Sequence, residues 1–486
     1  MVGRVIFTVL VVIGLGCRKP QPSAIERLAR CRMEEGPTDG YCGKLPVFEN
    51  RESKAGRKIN LKIVVLPALK RESRPDPLFV LAGGPGQGAA KMAASFSQIF
   101  RTFQNDRDIV LVDQRGTGDS NPLNCKPEDR DEDDLSKLGA YPLEQFRKCL
   151  AGYDAEPSLY TTPVAMDDLE DVRLFLGYGK INVWGGSYGT RAALVYLRRH
   201  PDSVRTVMLD GVAPTGMRLP LFVSRDGQRA LDLLIRDCEA DASCRARFPA
   251  LRTKVAALLA HTALKPRVRL THPRTGERGE VIFTRELFAS ILFGALYSPA
   301  LSSLLPRLLE DAASGDYQGL LALGFAGEAT SDDPISQGMF LSVVCSEDRP
   351  YITRAEIEAE TKNTFFGSTM FDTRLKPCEF WPRAEIAAGY HDAVKSDVPV
   401  LIFSGELDPI TPPVWGEQAK RTLSNSRHIV VPGTGHGTIA AGCVPRLTSK
   451  FLEQASVAGL DESCVRNLHR PPFFVNYSGP AGKAER

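Results

Sequence analysis

The chain has 486 residues, 43% hydrophobic and 24% charged, with 61 Lys and Arg against 58 Asp and Glu. That length holds two or three domains, or one large domain with an insertion, and the apolar fraction excludes wholesale disorder. A formal net charge of +3 gives no electrostatic drive toward nucleic acid, while eleven cysteines are many for a chain kept in a reducing cytosol.

Arg4 precedes an uncharged apolar run from Val5 to Gly16. The run is shorter than the ~20 residues that span a bilayer and suits the hydrophobic region of an export signal over residues 1–16. Gly14-Leu15-Gly16 before Cys17 resembles a bacterial lipobox, which makes Cys17 the candidate for lipidation and membrane attachment. A plain secretory signal is the alternative. Both readings export the protein, as a periplasmic or cell-envelope lipoprotein or as a secreted chain. Lys19-Pro-Gln-Pro reads as a short tether.

With Cys17 set aside, ten cysteines remain in sequence-local couples: Cys31 with Cys42, Cys125 with Cys149, Cys238 with Cys244, Cys345 with Cys378, and Cys443 with Cys464. Neighbour pairing is the simplest scheme, although sequence does not fix connectivity. No Cys-x-x-Cys occurs, and the histidines do not stand at zinc-ligand spacing, so no metal site is expected.

Short β-branched runs at Ile59 to Leu66, Leu78 to Ala82, Ile109 to Val112, Ile181 to Trp184 and Val204 to Leu209 predict strands buried on both faces. Helical stretches lie between them, such as Met166 to Leu176 and Thr190 to Arg199, so a mostly parallel α/β sheet is expected. Glu128 to Asp134 is a mostly acidic run that reads as a solvated loop. From Pro214 to Tyr390 the pattern is mainly helical, and two buried-strand signals then return at Pro399 to Phe403 and His428 to Val431. One α/β core (17–213 and 391–486) interrupted by a helical cap (214–390) accounts for that return, because tandem domains would leave the last two strands without a sheet.

Gly185-Gly186-Ser187-Tyr188-Gly189 contains Gly-x-Ser-x-Gly between a predicted strand and a predicted helix, the context in which the motif forms a nucleophile elbow. A serine hydroxyl needs a base, and the base needs an orienting carboxylate. In the order Ser, acid, His, Asp408 follows the first late strand and His436 the second, in Pro432-Gly433-Thr434-Gly435-His436-Gly437. Glu406 and Asp397 are the competing acids; Asp408 is preferred because it lies in the turn beyond the strand and precedes Pro409. Ala82-Gly83-Gly84-Pro85-Gly86 follows a strand where an oxyanion loop is expected. Pro85 has no N–H, so Gly84 is the expected donor, paired with the N–H of Tyr188. The spacing is not that of a dinucleotide loop, and no phosphate loop occurs.

These motifs, with Asp113-Gln114-Arg115-Gly116-Thr117-Gly118-Asp119-Ser120 and Gly405-Glu406-Leu407-Asp408-Pro409-Ile410-Thr411-Pro412, resemble the proline iminopeptidase and tripeptidyl aminopeptidase branch of the α/β-hydrolases. The resemblance covers nearly all of the chain after about residue 40. Ala82 departs from it, since proline iminopeptidases usually have His there; that His supports the oxyanion loop and does not attack. The resemblance implies an α/β-hydrolase fold with a helical cap, and cofactor-free release of residues or short peptides from a substrate N-terminus. It also implies acidic groups near the cap for the substrate's free amine, a role open to Glu347 or Asp348, whose alternative is a surface salt bridge. An esterase using the same triad on a small ester and a non-catalytic envelope binding protein are the competing functions.

Overall fold

The computed structural model describes residues 24–33, 39–125, 143–329 and 335–481. The segment read as an export signal, Cys17, the proline-rich stretch and the acidic run lie outside the described residues. Nine strands form one sheet: β1 (Ala29–Arg32), β2 (Asp39–Phe48), β3 (Lys58–Leu66), β4 (Leu78–Leu81), β5 (Ile109–Val112), β6 (Ile181–Gly186), β7 (Val204–Asp210), β10 (Val400–Gly405) and β11 (Ser426–Val431). Their order is β1-β2-β3-β5-β4-β6-β7-β10-β11. The pairs from β5 to β11 are parallel, and β1, β2 and β3 add an antiparallel flank. This is the α/β-hydrolase fold that the motifs imply.

The central strands are buried along their whole length, as their unbroken apolar runs require. One face packs on helices Thr162–Leu176 and Tyr188–Arg199, burying Leu169, Val172 and Leu194 against Val183 and Ile402. The other face packs on helix Val444–Gln454, with Phe451 and Leu452 against Ile109, Met208 and Phe403. Both faces are therefore dry, and ligand access is left to the loops beyond the strand ends.

Two features depart from the expected elements. Strands β1 and β2 precede the first predicted strand. Gly43 and Pro46 interrupt the apolar pattern of β2, and its register comes from pairing Tyr41 to Phe48 with Val65 to Lys58. Within the mainly helical segment, β8 (Arg267–Thr271) and β9 (Arg278–Ile282) form a separate antiparallel hairpin. Around it, helices that include Val223–Ala240, Arg285–Tyr297 and Leu305–Ala313 build their own core of Leu234, Phe283, Phe288, Leu292 and Leu309. Between β7 and β10 no strand joins the main sheet among the described residues. No helix of the described residues is long and apolar enough to cross a membrane.

Disulfides join Cys31 to Cys42, Cys125 to Cys149, Cys238 to Cys244, Cys345 to Cys378 and Cys443 to Cys464. Arg115, in the loop after β5, is fully buried and grips Asp168 with two bonds of 2.6 and 3.0 Å, while also donating to the carbonyls of Glu49 and Leu159. Removing Arg115 leaves this buried carboxylate with Arg51, at 2.8 Å, as its remaining guanidinium partner and strips most of its compensation in a dry interior. Arg115→Met is expected to lower unfolding stability by about 3 kcal/mol in a urea titration, with Ser73→Ala at an exposed position as the neutral reference.

Candidate active site

Ser187 stands between β6 and helix Tyr188–Arg199 at φ 56°, ψ −125°, a conformation few non-glycine residues adopt. The turn is sterically forced. A Cβ on Gly185 would stand 2.2 Å from the Gly189 carbonyl oxygen, and one on Gly189 would stand 2.1 Å from that of Leu81 in β4. The N–H of Ser187 donates to the Asp210 carbonyl at 2.9 Å, and Thr190 donates its N–H and hydroxyl back to the Ser187 carbonyl at 2.9 and 2.6 Å. The side chain is left facing a cavity of about 230 Å³ that Gly84 and Tyr188 also line.

His436 and Asp408 meet at the far side of the site. Asp408 Oδ2 lies 2.8 Å from His436 Nδ1. The carboxylate is completely buried and accepts the N–H groups of Ile410 and Thr411, both at 2.8 Å, and the Thr411 hydroxyl at 2.8 Å. Burial pushes the Asp408 carboxyl up, but the imidazole charge and hydrogen bond outweigh it and hold it below the usual range. Burial likewise works against the His436 imidazolium, and the charges of Asp408 and Asp210 reverse that effect, so its pKa lies above the ordinary imidazole value. Glu406 is turned away and accepts Gly433 N–H at 3.0 Å, and Asp397 is exposed.

The glycine loop after β4 comes close to the serine: a Cβ on Gly83 would lie 3.2 Å from the Ser187 Cβ. Asp113 braces this loop from behind by accepting the N–H groups of Ala90 and Lys91 at 2.7 and 3.2 Å. Burial pushes the Asp113 carboxyl up to about 6. The Asp113-Gln114-Arg115-Gly116 loop is thus part of the packing under the site, not of its wall.

Glu347 and Asp348 are not surface groups, which corrects the surface placement in the salt-bridge alternative, although Asp348 does form an ion pair. Both are fully buried in a π-helical turn, Val344–Asp348. Glu347 accepts the N–H and hydroxyl of Thr162 at 2.6 and 2.8 Å and the hydroxyl of Tyr390. Asp348 pairs with the equally buried Arg191 at 2.7 Å. Neither lines the cavity beside Ser187, so neither carboxylate is presented there to a substrate amine. Burial pushes Glu347 up to about 7. The cavity walls are mostly apolar, with Phe293, Phe340, Met370 and Leu375, and Arg374 is the one charged side chain among the described lining residues.

Sequence reasoning passed over Thr411 and Tyr297. Thr411 lies 3.1 Å from His436 Nδ1, and its place three residues after Asp408 is a readable turn signal. Tyr297 carries no such signal. It ends helix Arg285–Tyr297, its carbonyl accepts His436 N–H at 3.1 Å, and its ring stands edge-on to the imidazole at 5.0 Å.

A serine on a strained turn, an imidazole held by a buried carboxylate and nearby backbone N–H groups can together perform acyl transfer. The imidazole must be neutral to accept the serine proton. Because its pKa is raised, activity is expected to fall as pH drops while still above the ordinary imidazole value, measured as the acid limb of kcat/KM. Asp408→Asn is expected to lower kcat by about 10⁴-fold through the wrong tautomer, with Glu406→Gln far milder; the reverse ranking would reassign the acid.

A family model described as alpha/beta hydrolase fold matches residues 76–240, and one described as TAP-like protein matches residues 363–464. The serine protease Hip1 of Mycobacterium tuberculosis is 26% identical over 450 residues, covering 86% of this chain and 85% of its own. A proline iminopeptidase of Neisseria gonorrhoeae is 32% identical over 147 residues, covering 29% of this chain and 35% of its own. A tripeptidyl aminopeptidase of Streptomyces coelicolor is 28% identical over 192 residues, covering 36% of each chain.

Proposed function

We propose that this chain, which belongs to the α/β-hydrolases with a TAP-like C-terminal segment and is a serine hydrolase, releases residues or short peptides from peptide N-termini through an acyl-enzyme on Ser187. The observation that carries the reading is the 2.8 Å bond between His436 and a buried Asp408, in a site whose strained serine faces an enclosed cavity. The relatives bear peptidase names.

Ser187 Oγ attacks the scissile carbonyl carbon, and its proton passes to the free ring nitrogen of His436. Asp408 holds the Nδ1–H and stabilises the imidazolium. The N–H groups of Gly84 and Tyr188 receive the developing oxyanion. Collapse breaks the C–N bond as His436 protonates the leaving amine. Water then repeats the sequence on the acyl-serine, which releases the acid and restores Ser187. Every proton is returned, so no cofactor is required.

The esterase reading is favoured by one specific observation, the mostly apolar cavity wall with Arg374 as its described charge. Such a wall suits an apolar acyl group better than a free ammonium. A purely binding role would not require a strained serine, a paired acid and base and a glycine loop to be kept together. Export is part of the proposal: five disulfides belong to an oxidising compartment, and Cys17 is the proposed point of lipid attachment.

Ser187→Ala is expected to abolish labelling by a fluorophosphonate probe while the fold is kept; a labelled variant would remove Ser187 from its role. Turnover of free and N-acetylated chromogenic peptides of one to three residues, beside a short-chain ester, separates the two hydrolase readings. Dependence on the free amine supports the aminopeptidase, and indifference with fast ester cleavage supports the esterase.

A further inference from the structure

Asp210 closes β7 directly beside the serine turn. Its carbonyl accepts Ser187 N–H at 2.9 Å. Its carboxylate, buried from solvent, accepts the N–H of Thr438 at 2.9 Å (Oδ1) and 2.8 Å (Oδ2), the Thr438 hydroxyl at 2.8 Å and the N–H of Ile439 at 2.8 Å. Burial pushes the Asp210 carboxyl up, and these partners, all of them donors, together with the charge of His436 favour its ionised form against that burial. Thr438 lies two residues beyond His436. The next residue, Gly211, has φ 68°, and a Cβ there would come 3.3 Å from the imidazole Cε1, so β7 passes close against the ring.

We infer that Asp210 is a positioning residue for the hydrolytic reaction: it locks the His436 loop onto the serine turn and supplies a second negative charge that stabilises the imidazolium. The inference rests on the Ser187–His436–Asp408 reading proposed above. Asp408 orients the ring through Nδ1, whereas Asp210 makes no bond to it and acts through the loop and through its charge. One residue thereby ties two sequence-distant parts of the site together, through its backbone on one side and its side chain on the other.

The charged and titratable groups around His436 come from four elements. Asp408 faces it from the loop after β10 and Asp210 from β7. Tyr297 faces it from helix Arg285–Tyr297, and burial pushes the Tyr297 hydroxyl up and keeps it neutral. Arg229, on helix Val223–Ala240, acts on Asp408 and Glu406 rather than on the ring. Burial lowers the imidazole pKa, and the two carboxylates oppose it.

The test follows the second-order rate of fluorophosphonate labelling against pH, which needs no knowledge of the substrate. In Asp210→Asn the plateau rate is expected to fall about 100-fold, as for a misplaced catalytic group. Its acid limb is expected to move to lower pH, because one of the two charges that favour the imidazolium is gone. Asp210→Glu keeps the charge but shifts the carboxylate, and Thr438→Val removes one donor only; both are expected to label more slowly with the acid limb in place. A wild-type rate and profile in Asp210→Asn would overturn the inference. So would a slower rate with an unmoved acid limb, since that is all a loosened loop produces. If circular dichroism shows Asp210→Asn unfolded, Asp210→Ser takes its place with the same two outcomes: slower labelling with the acid limb at lower pH supports the inference, and an unmoved limb overturns it. An unlabelled wild-type chain would instead refute the triad reading itself.

Discussion

The approach of the Gly189 α-carbon to the Leu81 carbonyl is the constraint on which the site depends. With a Cβ excluded at 2.1 Å there and at 2.2 Å on Gly185, helix Tyr188–Arg199 starts flush against β4 and β6. The chain can make that turn only if Ser187 takes positive φ, a conformation that costs about 1–3 kcal/mol. Packing on either side overdetermines the turn: Ala192, Ala193 and Leu194 are buried under the sheet, and the Ser187 N–H is spent on Asp210. The strain therefore persists and lifts the hydroxyl into the cavity. It also brings the first turn of the helix, with its N–H groups and positive dipole end, to the same place.

Buried charge organises the surroundings in a graded way. Directly at the imidazole, Asp408 is satisfied by three donors and the ring itself. Further out, Asp113 holds the glycine loop, while Arg115 and Asp168 pin the layer beneath. Backbone N–H groups hold Asp408 and Asp113 and guanidinium groups hold Asp168, which offsets part of the cost of burying each carboxylate and fixes the local backbone. Glu347 belongs to this set. Its bonds to Thr162 and Tyr390, together with the 2.7 Å contact of Thr162 with the Tyr188 hydroxyl, buttress the residue after the serine from the segment between β7 and β10.

The segment between β7 and β10 is accordingly more than a cover. Tyr297 holds His436 through its carbonyl, Arg229 donates to the Glu406 carbonyl at 2.9 Å, and Asp226 accepts Trp415 Nε1 at 2.8 Å in the helix after the acid loop. Ser336 donates its N–H to the Gly86 carbonyl at 3.0 Å. The Asp408 loop and the glycine loop each accept a hydrogen bond from it and the His436 loop donates one to it, so their geometry depends on residues a hundred or more positions away in the chain.

What the sequence determined by itself was the local part. Gly185-x-Ser187-x-Gly189 between a β-branched run and a helical pattern, and the Asp408 and His436 loops each following a strand signal, depend on short-range sterics and strand-end placement, and both are written in neighbouring residues. The strand before His436 is nevertheless a half-exposed edge and not the buried one its apolar run predicts. Strands buried on both faces are equally legible, because continuous apolar runs have few other stable settings. Tertiary structure alone decided the rest. Strand β2 is held by pairing, which its own pattern does not announce. Asp210, Tyr297 and Thr411 gain their places at His436 from packing of β7, helix Arg285–Tyr297 and the loop after β10. Whether Glu347 and Asp348 face a ligand or the interior turned on where Thr162, Tyr390 and Arg191 stand, since a carboxylate takes the donors that the fold brings to it.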